Sequence, residues 1–194
     1  GFDQVHAYAK AGGNDLARLN GSAGDDTFVS DHAAGYARMI TGETSSRVKF
    51  FERVEAYATT GGNDVATLRG TAGDDAFVAD PVSATLTTAG MVTQAMRFTT
   101  AAAIAGDGGT DTAELNDSPG AEVFTATPTQ ASLKGKAFEL VAKAFDEVHA
   151  YARAGGSDTA VLYGSTGDDT YIGTADYGKL AGVGYFVRAK FFEE

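Results

Sequence analysis

Phenylalanine recurs at Phe2, Phe51, Phe98, Phe145 and Phe192, at spacings of 49, 47, 47 and 47 residues. The aspartates Asp15, Asp64, Asp111 and Asp158 keep those spacings. So do Leu19, Leu68, Leu115 and Leu162, and the aromatic series Phe28, Phe77, Phe124 and Tyr171. Several series in one register define a tandem array. Its units are 2–50, 51–97, 98–144 and 145–191, with 192–194 opening a fifth, so residues 1–194 read as a single repeat domain.

Within a unit, apolar residues alternate with period two. "VHAYA" (5–9) sets Val5, Ala7 and Ala9 against His6 and Tyr8, and "DVATLRG" (64–70) sets Ala66 and Leu68 against Val65, Thr67 and Arg69. Gly-Gly, Gly-Asp and Ser/Thr-rich stretches separate these runs, as turns separate strands. The chain is therefore expected to be all-β. A unit of about 47 residues, with no cysteine anywhere in the chain, buries too little surface to fold alone. The units must share a core. The expected architecture is a parallel β-solenoid, β-helix- or β-roll-like, with each unit one coil and equivalent residues about 4.8 Å above one another. A ring of blades, as in a β-propeller, is the alternative.

Composition narrows the function classes. A formal net charge of −11 argues against nucleic acid, which needs clustered Lys and Arg. The absence of cysteine removes disulfides and thiolate metal sites. No run reaches the roughly 18 apolar residues of a membrane span, so no membrane insertion is expected. The first residue is Gly1 and no signal peptide is visible, as expected of a processed or excised chain.

Paired aspartates return in glycine-rich turns: "GSAGDDTF" at 21–28, "GTAGDDAF" at 70–77 and "GSTGDDTY" at 164–171. Asp25, Asp26, Asp74, Asp75, Asp168 and Asp169 there, with Asp15, Asp64 and Asp158 of the Gly-Gly-x-Asp turns, are candidate metal ligands. Stacked carboxylates about 5 Å apart repel by roughly 1 kcal/mol even in water. Ca²⁺ accepts such oxygens in flexible geometry. The competing explanation is turn chemistry, since Asp beside glycine accepts N–H bonds from its own turn without a metal. The third unit reads "DSPGAEVF", with Asp117 for glycine and Glu122 for aspartate, so its corner is expected to be the weakest cation site.

These turns resemble the hemolysin-type (RTX) repeats of secreted bacterial proteins, on Gly70, Gly73, Asp75 and Phe77 and their counterparts. The whole unit is similar to tandem repeats of long bacterial surface proteins. The resemblance implies an extracellular or cell-surface location and calcium held between coils. It departs from the family in that the two aspartate turns of a unit stand eleven residues apart, as at Asp64 and Asp75.

No unique catalytic constellation is present, and the chain is not expected to be an enzyme. His6 and His149 read as exposed strand residues, and His32 as a loop residue without obvious partners. Tyr8, Tyr57 and Tyr151 point outward, as a stiffening ladder or a face that stacks on polysaccharide rings. Lys49, Arg97, Lys143 and Lys190 form a basic series before each unit start, read as balancing the acidic turns or marking a pairing edge. Together these features point to a structural segment that self-associates into a filament or layer and serves assembly or adhesion. The alternative is a carbohydrate-binding module.

Overall fold

The computed structural model describes residues 2–59 and 61–193. Among them there is no helix, and each unit contributes five strands. The first supplies β1 (Gln4–Tyr8), β2 (Leu16–Asn20), β3 (Asp26–Asp31), β4 (Tyr36–Thr41) and β5 (Thr44–Lys49). The second supplies β6 (Arg53–Tyr57), β7 (Val65–Arg69), β8 (Ala76–Ala79), β9 (Ser83–Thr87) and β10 (Val92–Met96). The third supplies β11 (Thr100–Ile104), β12 (Thr112–Asn116), β13 (Val123–Thr127), β14 (Gln130–Lys134) and β15 (Glu139–Lys143). The fourth supplies β16 (Glu147–Tyr151), β17 (Thr159–Leu162), β18 (Thr170–Gly173), β19 (Tyr177–Gly182) and β20 (Tyr185–Lys190).

The strands form two ten-stranded sheets, ordered β1-β5-β4-β3-β7-β11-β15-β14-β13-β17 and β18-β19-β20-β16-β12-β8-β9-β10-β6-β2. The fold is a β-solenoid of about five turns, with continuous sheets in place of separate blades. The first strand of a unit lies on one sheet, the second on the other, and the third, fourth and fifth return to the first sheet as an antiparallel meander. Successive units are joined by parallel pairs, such as β3 with β7, β7 with β11, and β8 with β12.

This path corrects the expectation of one coil per unit. The chain crosses between the sheets three times per unit and two crossings complete a turn, so a unit makes one and a half turns. Equivalent strands of neighbouring units therefore lie on opposite sheets, and the true vertical repeat spans two units. On the first sheet five rungs separate β1 from β11, a rise of about 24 Å for that pair of units.

The core follows the period-two pattern. In β7, Ala66 and Leu68 are buried while Val65 and Arg69 face out; in β8, Phe77 and Ala79 are buried while Val78 faces out. Alanine dominates the buried set, which lets the two sheets approach closely around single rows of Leu and Phe. The aromatic rows interlock at the two-unit period. Phe28 packs on Phe98, Phe77 on Phe145 and Phe124 on Phe192, with ring centres 6.0, 6.1 and 5.9 Å apart. Such tilted contacts add about 0.5–1.5 kcal/mol each beyond their buried area.

Two turn devices repeat. Both glycines of each Gly-Gly-x-Asp turn hold positive φ, for example 109° and 80° at Gly61 and Gly62. The crossing from one unit to the next places Phe50, Arg97, Ala144 and Phe191 in the left-handed region at φ 58–71°. Arg97 is thus a turn residue, and the basic series is Lys49, Lys143 and Lys190. The amines of Lys49 and Lys190 lie 5.0 and 4.7 Å from the ring centres of Phe50 and Phe191, over aromatic faces.

The outward tyrosines do not form a common face. Tyr8 stands on one sheet, while Tyr57 and Tyr151 stand on the other, five rungs or about 24 Å apart. Tyr57 donates to Glu55 at 2.9 Å, and the Tyr151 hydroxyl accepts from Arg188 at 2.8 Å. His6 is exposed, as expected, whereas His149 is half-buried against Phe186. His32 is the larger departure. It is buried, with Nδ1 3.1 Å from Thr88 Oγ1 and Nε2 2.9 Å from Thr93 Oγ1, which also meets Ser30 Oγ at 2.8 Å. This polar bridge ties β3 to β10 across the core, and burial lowers the His32 pKa to about 4.

Candidate metal centre at the acidic corners

The corner motif closes on itself in the same way in all four units. The acid at its sixth position accepts the backbone N–H and the hydroxyl of the Ser or Thr at its second. The pairs are Ser22 with Asp26, Thr71 with Asp75, Ser118 with Glu122 and Ser165 with Asp169, at 2.6–3.1 Å. The same hydroxyl oxygen then accepts the N–H of the next corner glycine: Gly24, Gly73, Gly120 or Gly167. Turn chemistry therefore accounts for the second aspartate of each Asp-Asp pair without an ion.

The first aspartate serves the neighbouring turn of the next unit. Asp25 accepts the Asn63 N–H at 2.7 Å and Asp74 the Thr110 N–H at 2.8 Å. The reverse bond holds the corners together. Asp64 accepts the Asp26 N–H at 2.9 Å, Asp111 the Asp75 N–H at 2.8 Å, and Asp158 the Glu122 N–H at 2.8 Å. A third set reaches from the following crossing: the N–H groups of Asp15, Asp64, Asp111 and Asp158 donate to Glu52, Thr99, Asp146 and Glu193. Each interior corner is thus tied to the Gly-Gly-x-Asp turn of the next unit, and that turn in its own right to the crossing after it, by side-chain-to-backbone bonds.

The expected stacking of Asp26 on Asp75 does not occur. The Asp64 turn enters β7 and the Asp75 turn follows its exit, so Asp26 with Asp64, and Asp75 with Asp111, occupy opposite edges. The nine sequence candidates accordingly do not form one ladder. Asp26, Asp64, Asp75 and Asp158 are buried in pairwise corners, Asp25, Asp74 and Asp168 are exposed, and Asp15 is half-buried. Asp169 is exposed at the end of the stack, where the Tyr185 hydroxyl donates to it at 2.6 Å and holds its carboxyl below the usual range.

The corner expected to be weakest is the one where carboxylates gather. Among the described residues, Asp117, Glu122 and Asp158 bring carboxylate oxygens within 4.8 Å of one another, a group of three that could hold a metal ion. Burial raises the Asp158 carboxyl against the pull of the Glu122 N–H, and the charges of Glu122, Glu193 and Asp117 push it the same way. Burial also raises Asp64 and Asp111, but each shares its corner with a glycine where Asp117 stands. A Cβ at Gly21, Gly70 or Gly164 would overlap the carboxylate of Asp26, Asp75 or Asp169. At 117 a side chain is present and the corner acid is the longer glutamate. The signal in the sequence was this coincidence of two exchanges in one corner.

Comparison with protein-family models, curated proteins and solved structures returns no match.

Proposed function

We propose that the chain is a structural segment of a secreted bacterial surface or fibre-forming protein, a stiff β-solenoid rod serving assembly or adhesion. The observation that carries this reading is the pair of ten-stranded sheets that run unbroken through all four units; the outermost strands of the described stack leave apolar residues uncovered. Ala160, Leu162 and Tyr171 occupy positions whose counterparts in earlier units are buried: Ala113, Leu115 and Phe124. Tyr171 is 64% exposed against 0% for Phe124. At the other end Val5 and Ala7, inward residues of β1, are exposed, while their counterparts Val148 and Ala150 are buried.

The two ends are alike in kind, and for them to join, Phe2 of a second copy must displace Phe192 from its place against Phe124. By the interior rule, β17 would pair with a strand equivalent to β11, and β18 with one equivalent to β12. The β1 and β2 strands of a second copy are such strands. The Asp169 N–H and the Asp15 carboxylate are the two halves of the corner bond seen between Asp75 and Asp111. End-to-end stacking into filaments follows. Calcium belongs to this reading as a local lock on one corner, in place of the nine-carboxylate ladder.

Light scattering across a concentration series, with negative-stain microscopy, tests the assembly. Rods of end-to-end copies are expected, and Leu162→Lys should shorten them. A monodisperse monomer at the highest soluble concentration, with no rods on the grid, would sink the proposal.

A further inference from the structure

The corner built by Asp117, Glu122 and Asp158 differs from the others by more than an added charge. Asp158 is 1% exposed; its Oδ1 accepts the Glu122 N–H, while its Oδ2 is buried with no hydrogen-bond partner. A buried unpartnered carboxylate oxygen costs several kcal/mol of lost hydration unless a cation or proton meets it. Glu122 is also fully buried, with both oxygens turned to Ser118, and Asp117 takes the Ala154 N–H on Oδ2 at 2.8 Å. Glu193 adds a fourth acid, accepting the Asp158 N–H on Oε2 at 2.8 Å. Asp117 keeps 9% exposure, which opens the cluster to solvent on one side.

We propose that Asp117, Glu122 and Asp158 bind one Ca²⁺ per chain, with Asp158 Oδ2 as the buried ligand and Asp117 as the mouth of the site. Two ligands on one Ca²⁺ stand at most about 4.6–5.2 Å apart at bond lengths of 2.3–2.6 Å. One carboxylate oxygen from each of the three residues lies within 4.8 Å of the others, a spacing that the longer Ca²⁺ bonds admit. Mg²⁺ sets a tighter limit of about 4.2 Å and demands near-ideal octahedral geometry, which favours the more flexible Ca²⁺ in a buried corner. The donors are all oxygens, as a hard cation requires. The site joins the Ser118–Glu122 turn of the third unit to the Asp158 turn of the fourth, so the ion locks two units together. The proposal sharpens the calcium part of the structural reading, and it holds equally for a chain that stays monomeric.

The test is calorimetric titration of the whole chain with CaCl₂ after chelator treatment, repeated with MgCl₂ and on three variants. The expected result is one Ca²⁺ per chain, with affinity in the roughly 10⁻⁴–10⁻³ M range of extracellular modules and weaker Mg²⁺ binding. Asp117→Gly restores the residue found at 21, 70 and 164, and Asp158→Asn keeps the Oδ1 acceptor for Glu122, so both variants preserve the turn. Each should weaken binding at least about tenfold, the loss expected when one of three carboxylates leaves. Asp111→Asn, at the matching two-acid corner, should leave stoichiometry and affinity unchanged. The absence of saturable binding up to about ten times the weakest expected Kd would overturn the site. So would a wild-type affinity in Asp117→Gly and Asp158→Asn, or an equal loss in Asp111→Asn. None of those outcomes touches the assembly test, which reads particle length.

Discussion

Asp111 separates the two explanations for buried aspartates in these turns. Its Oδ1 accepts the Asp75 N–H at 2.8 Å, and both residues are buried. In Asp111→Ala that N–H loses its acceptor in a site closed to water, which costs about 1–3 kcal/mol. For a chain of this length that lowers the midpoint by about 2–4 °C per kcal/mol, so roughly 2–12 °C in all. Asp111→Asn keeps an oxygen at the same place and removes the charge that burial, Asp75, Asp146 and Asp74 already oppose. It should melt at or above the wild-type temperature. Thermal denaturation followed by circular dichroism at pH 7 without calcium measures both, and amide exchange at Asp75 reports the bond directly. Fast exchange is expected only in the alanine variant. If asparagine proves as harmful as alanine, the charge is required and the hydrogen-bond account of the corner fails.

Two further outcomes follow from the same geometry. The folded-state pKa of His32, about 4, lies below the unfolded value near 6.5, so the unfolded chain takes up the proton first and the neutral ring stabilises the fold above pH 6.5. That contribution, about 3 kcal/mol, is lost as pH falls from 6.5 to 4, while Asp64, Asp111 and Asp158, with raised pKa values, shift stability the opposite way. The wild-type advantage over His32→Gln in urea unfolding should therefore shrink by about that amount between pH 7 and 4; a constant difference would exclude the assignment. Gly70→Ala should destabilise by about 1–3 kcal/mol through overlap with Asp75. Adding Asp75→Glu, the exchange found in the third unit, should recover most of the loss, and strictly additive effects would refute the link between positions 117 and 122.

The strands and their inward faces were legible because side-chain alternation depends only on the strand itself. Ala66, Leu68 and Phe77 are buried where period two places them. Alternation is silent on which sheet a strand joins and on whether its neighbour is parallel, since both pairings share the same side-chain period. The extra half turn per unit was therefore invisible, and with it went the Asp26–Asp75 stack and the tyrosine face. It is set by bonds between distant turns, such as Asp26 with Asp64, that no local pattern announces. The partners of His32, Thr88 and Thr93, lie 56 and 61 residues away for the same reason. The acid cluster was half legible. Asp117 and Glu122 read as departures from a motif, and only the approach of Asp158 from the next unit turns them into a site.

The half turn left over in each unit gives the rod a parity. Adding or removing one unit keeps the sheets continuous and the corner bonds intact, yet it swings everything downstream to the opposite side. Two units restore the original side. A feature carried once per unit would thus appear alternately on the two flanks, and a feature confined to every second unit would line up along one. Changes in copy number would then alter which flank a distant segment presents without altering how the rod is built.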